Sequence, residues 1–73
     1  NMMYQVLDGL IVDSIKSKKE AKFAELMEGA VLVEVKRIAE ACGREDFRVL
    51  DGRLTRLEKR GVIEHYCRNW RVV

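Results

Sequence analysis

The residues of this chain best equipped for chemistry are arginines. Between residues 44 and 73 stand Arg44, Arg48, Arg53, Arg56, Arg60, Arg68 and Arg71, with Lys59 the only lysine. A guanidinium offers a rigid fork of donors that matches a phosphate, or the O6/N7 edge of guanine, with two hydrogen bonds. These eight cations stand against five carboxylates (net +3), whereas residues 1–43 hold six cations and seven carboxylates (net −1), so the positive charge is concentrated in the second half. On a solvated helix the same arginines would serve only i,i+4 pairing. The elements that carry them decide between the two uses.

Other chemistry is sparse. Cys42 and Cys67 are not in a C-x-x-C pair, and with His65 they give three potential ligands in no metal-binding spacing. Cys42 falls on an apolar helical face and reads as a small core residue in a reduced, cytoplasmic protein. Gly9, Gly29, Gly43, Gly52 and Gly61 each stand alone and form no phosphate-cradling loop. No nucleophile–base pair is visible. Neither an enzyme nor a bound metal or cofactor is expected.

The positioning elements follow from periodicity. Seventy-three residues, 48% hydrophobic and 36% charged, suit one globular domain over 2–73 with one core. Asn1 ahead of Met2 and Met3 reads as an expression remnant. No apolar run approaches the ~20 residues of a membrane helix, and the start lacks the pattern of a secretion leader. Met3, Val6, Leu7, Leu10, Ile11 and Ile15 form a helical stripe over 3–16. Met3, Leu7, Leu10 and Ile11 are expected in the core, with Tyr4, Val12 and Ile15 partly off the stripe. Ser17 and Glu20 have the form of a capping box, so a second helix is expected from about Lys18, carrying Ala21, Phe23, Ala24, Leu26 and Met27 and stopped by Gly29. Ala30–Val33 suits either a short strand or the first turn of the next helix. A helix over 35–42 puts Ile38, Ala39 and Cys42 on one face, and Gly43 supplies a left-handed stop.

The apolar period resumes at Phe47, Leu50, Leu54 and Leu57, predicting a helix over about 46–60 ended by Gly61. Opposite the leucines lie Arg48, Gly52, Arg56 and Lys59, flanked by Val49, Arg53 and Thr55, with Asp51 and Glu58 beside the leucines. Gly52 is informative, because a glycine inside an exposed helix costs about 1 kcal/mol against alanine and leaves that face able to press closely against a partner. Val62–Tyr66 and Trp70–Val73 read as a hairpin with Arg68-Asn69 at its tip, and Trp70 as the residue packing it onto the helices.

Two helices joined by a glycine turn, the second basic on its outer face, have the layout of a helix-turn-helix. The Ile38-Ala39 pair, Gly43, and the run Leu54-Thr55-Arg56-Leu57-Glu58-Lys59-Arg60-Gly61-Val62-Ile63 resemble the winged helix-turn-helix family over residues 31–73. The leucines arrive one residue late for that family, so the turn is expected to be one residue longer, with Phe47 plugging the core. The resemblance implies a mainly α winged helix-turn-helix with a small β-hairpin and an extra N-terminal helix. It also implies sequence-specific binding of double-stranded DNA by a prokaryotic or phage transcription regulator. The 46–60 helix would enter the major groove, Arg48, Val49, Gly52 and Arg53 facing bases, Arg56 and Lys59 holding phosphates, and Arg68 and Arg71 reaching the backbone or minor groove from the wing. Arg44, in the turn, joins this surface. One such module reads one half-site, so a homodimer through the N-terminal helix is expected. The alternative is a winged helix module that binds an acidic protein partner and not DNA.

Overall fold

In the computed structural model, which describes residues 2–73 (Met2 by its backbone alone), the chain is mainly α with a small β-hairpin. Asn1 lies outside the described residues. The elements are α1 (Met2–Lys18), α2 (Phe23–Leu26), α3 (Gly29–Cys42), α4 (Asp46–Lys59), β1 (Ile63–Tyr66) and β2 (Asn69–Val72). One cluster forms the core: Leu7, Ile11 and Ile15 of α1; Ala21, between α1 and α2; Leu26 of α2; Val31, Val35, Ile38 and Ala39 of α3; Val49, Leu50, Leu54 and Leu57 of α4; and Ile63 of β1. Helices α1, α3 and α4 surround it, and the hairpin closes it against α1 and α4.

The first third departs from the expectation. Ser17 caps nothing, because α1 runs through it to Lys18 and ends where Lys19 turns left-handed at φ 69°. The capping residue is Lys22, whose amide donates to the Glu25 carboxylate at 2.8 Å at the head of the short α2. Gly29 does not stop a helix but opens α3, which makes Ala30–Val33 its first turn. One residue outside the hairpin pairs with it. Ala21 exchanges two backbone hydrogen bonds with Trp70, at 2.9 and 2.7 Å, forming a single bridge to β2. Within α1, Ile15 is fully buried while Met3 is 42% exposed, the reverse of the expected facing.

In the rest of the chain the ends of the helices fall where the glycines were expected to put them. Gly43 takes φ 67° after Cys42, and the Arg44 amide reaches back to the Ala39 carbonyl at 2.9 Å, so the glycine satisfies carbonyls that the helix end leaves free. Three residues, Gly43 to Glu45, join α3 to α4. That is an ordinary helix-turn-helix length, not an extended one. Lys36 clips the turn by pairing with Asp46 at 3.0 Å. Gly61 repeats the device at φ 77°, with Val62 donating to the Leu57 carbonyl at 3.0 Å, and directs the chain into β1. The hairpin pairs Ile63 with Val72 and Tyr66 with Asn69. Its tip is therefore Cys67-Arg68, not Arg68-Asn69, and both residues hold positive φ, 50° and 67°, as a type I′ turn requires. Trp70 is half-buried against the core, as expected of a packing residue.

Candidate nucleic-acid interface

The face that α4 turns outward is set by what it buries. Val49, Leu50, Leu54 and Leu57 are at most 3% exposed, whereas Phe47 is 50% exposed. Phe47 does not plug the core; Val49 and Leu50 fill that place. Replacing Phe47 by Val49 in the buried set turns the helix by roughly 35°, at 100° per residue. The outward strip then centres on Arg48, Thr55 and Lys59, with Gly52 beside them, all exposed. Thr55 moves from the flank to the middle. The exposed Asp51, expected beside the leucines, lies close to the strip.

Three expected contact residues change role. Val49, 2% exposed, belongs to the core and cannot face a base. Arg53 is turned inward: it grips Asp8 of α1 through two hydrogen bonds of 2.9 Å, and its guanidinium lies 4.1 Å over the Tyr4 ring. Its proximity to Asp8 raises its pKa above the ordinary arginine value. Arg53 therefore ties α4 to α1. Arg71, in β2, bonds Glu64 across the hairpin and lies 4.5 Å over the Tyr66 ring, so its charge is already matched.

The remaining expected cations, and with them Arg60, which was not expected there, are left for a partner. Among the described residues, Arg44, Arg48, Arg56, Lys59, Arg60 and Arg68 take part in no ion pair with a carboxylate. Arg48 rests its guanidinium 5.4 Å over the Phe47 ring, at the head of α4. Arg68 stands at the hairpin tip in a left-handed conformation. No added Cβ at Gly52 would meet anything within 4 Å, so no internal contact requires that glycine.

The spacing alone missed Tyr4 and Arg60. Together with Arg53 and Arg56 they line an open cleft of about 380 Å³ between α1 and the end of α4. The i,i+4 spacing of Arg56 and Arg60 was available as a signal, but only the packing of α1 shows that Tyr4 lines the same cleft. The cysteines are both free and exposed; Cys42, expected in the core, sits past its edge with its thiol 3.7 Å from the Met3 sulfur. No group of three His, Cys, Asp or Glu among the described residues is arranged to hold a metal ion. No described helix is long and apolar enough to cross a membrane. Comparison with protein-family models, curated proteins and solved structures finds no match to this chain.

Proposed function

We propose that this chain is a winged helix-turn-helix module that binds double-stranded DNA as a cytoplasmic transcription regulator, with α4 entering the major groove. The observation that carries the reading is the set of cations without carboxylate partners on α4 and at the hairpin tip. Arg48 and Thr55 face base edges, Gly52 lets the helix approach closely, and Lys59 and Arg44 hold phosphates. Arg68 reaches a neighbouring backbone or minor groove from the tip of the wing. A left-handed arginine there is less favourable than a glycine, which supports a use for its side chain. A second copy joins through the exposed Met3–Val6 edge of α1 so that two half-sites are read together.

The deciding test is a mobility shift with random duplex DNA at about 50 mM salt and at several-fold higher salt. Binding that weakens steeply with salt is expected. A second reading rests on Phe47, half-exposed at the head of α4, and on Asp51 near its outward strip. An aromatic anchor and a carboxylate there suit a protein partner better than a phosphate. Absence of any shift at low salt would favour that reading.

A further inference from the structure

We propose that the cleft between Tyr4 and the end of α4 is a phosphate-binding site. Its lining is Tyr4, Arg53, Arg56 and Arg60, with no carboxylate among them. The nearby Asp8 is already taken by Arg53, which it grips with both oxygens at 2.9 Å. That pairing does two things. It neutralises Arg53 while pinning the guanidinium 4.1 Å over the Tyr4 ring, so the ring and the cleft wall are held in place. It also leaves Arg56 and Arg60, one helical turn apart on the same wall, without an ion-pair partner among the described residues, although Arg60 also borders the neighbouring cavity that Asp8 and Asp13 line.

Like charges at i,i+4 repel, and neither arginine has an ion-pair partner among the described residues. The carboxyl end of a helix favours cations, and here it places two of them on the wall of a cleft that an aromatic ring also lines. An oxyanion between them removes the repulsion and accepts charge-assisted hydrogen bonds from both. Tyr4 adds a phenolic hydroxyl from the first turn of α1, whose dipole favours an anion. At about 380 Å³ and open to solvent, the cleft has room for a phosphate that continues into a longer molecule. The chemistry is therefore that of a phosphate mono- or diester. It is supplied either by the backbone of a duplex lying along α4, which would deepen the DNA reading, or by a free phosphate-bearing small molecule, which would stand apart from it.

The test follows the Nε–H signals of Arg56 and Arg60 by NMR in the full chain, titrated separately with inorganic phosphate, a short random-sequence duplex, and chloride at matched ionic strength. Saturable movement of both signals with phosphate or duplex, and not with chloride, is expected. Arg56→Gln combined with Arg60→Gln should weaken the responding ligand by roughly tenfold and, for a duplex, reduce the log–log salt slope by about 1, for the one phosphate held between them. A response to duplex assigns the site to backbone phosphate, and a response to phosphate alone assigns it to a small ligand. If chloride moves the signals as far as phosphate does, or if neither probe moves them, the proposal is overturned. Duplex binding with both signals unmoved would sink the cleft and leave the DNA reading standing. Saturable phosphate binding without duplex binding would do the reverse. The wild-type titrations decide these outcomes even if the double variant fails to fold.

Discussion

The division of labour among the arginines of α4 is set one residue at a time. Arg53 is held by Asp8 with each side chain about 15% exposed, so removing one partner strands the other away from water. Asp8→Ala is expected to lower stability by about 1–3 kcal/mol, measured by chemical denaturation. Arg48 and Lys59 carry no such bond, so alanine at either should shift stability by no more than about 0.5 kcal/mol. Their effects on DNA should differ. Arg48→Ala should relax base preference at one operator position, while Lys59→Ala weakens all sequences alike and lowers the salt slope by about 1. If Arg48→Ala leaves binding to target and random duplexes untouched, the reading face lies elsewhere. Acid should act on another pair. Arg37 grips Glu34 with bonds of 3.0 and 2.7 Å and holds its carboxyl below the usual 4.5. A depressed carboxyl stabilises the fold above its unfolded value and loses that contribution as pH falls through the folded one. The melting gap between wild type and Arg37→Gln should be present at neutral pH and vanish well below 4.5.

At the scale of the element, α4 serves two surfaces at once. Leu54 is fully buried, and Leu54→Ala should cost about 2–5 kcal/mol in a melting or denaturation experiment. Gly52→Ala separates stability from binding. No contact and no positive φ opposes a methyl group there, so the helix should gain up to about 1 kcal/mol. Close approach to a groove wall would make the same change weaken DNA binding. Gly9→Ala, equally unobstructed in α1, should stabilise without that loss. The bounds of α3's end, α4 and β1 were legible because Gly43 and Gly61 punctuate a strong leucine period. The rotation of α4 was not, because Phe47 and Val49 are both apolar and both compatible with Leu50, Leu54 and Leu57. Which of them is buried depends on where α1 and α3 lie. The same limit hid the break after Lys18. A lysine in the left-handed conformation carries no signature in the sequence, whereas Ser17 and Glu20 imitate a cap that the helix passes through.

For the whole molecule, the open question of assembly concerns α1. Leu7, Ile11 and Ile15 are spent on the core, and among the described side chains of α1 the large apolar ones left exposed are Met3, at 42%, and Val6, at 60%. That pair is too small to hold a dimer without help. Sedimentation is therefore expected to show monomer at micromolar concentration, with dimer appearing when a duplex carrying two half-sites is added. Monomer under both conditions would remove the second copy from the proposal. The charge pattern at this scale was legible from the start, since the excess lies in residues 44–73. Which cations were free was not, because Asp8 and Glu64, the acids that match Arg53 and Arg71, sit on other elements.

The bridge between Ala21 and Trp70 joins the first third of the chain to its last strand, the most distant backbone pairing in sequence among the described residues. Long-range pairings carry a loop-closure cost before they return any contact. The helices and the hairpin are local, and this clasp can close only after they have met. It should therefore be the last event of folding and the first to open. In hydrogen exchange, the amides of Ala21 and Trp70 should exchange faster than those at the centre of α4, by a sub-global opening that releases the hairpin while α1, α3 and α4 stay together.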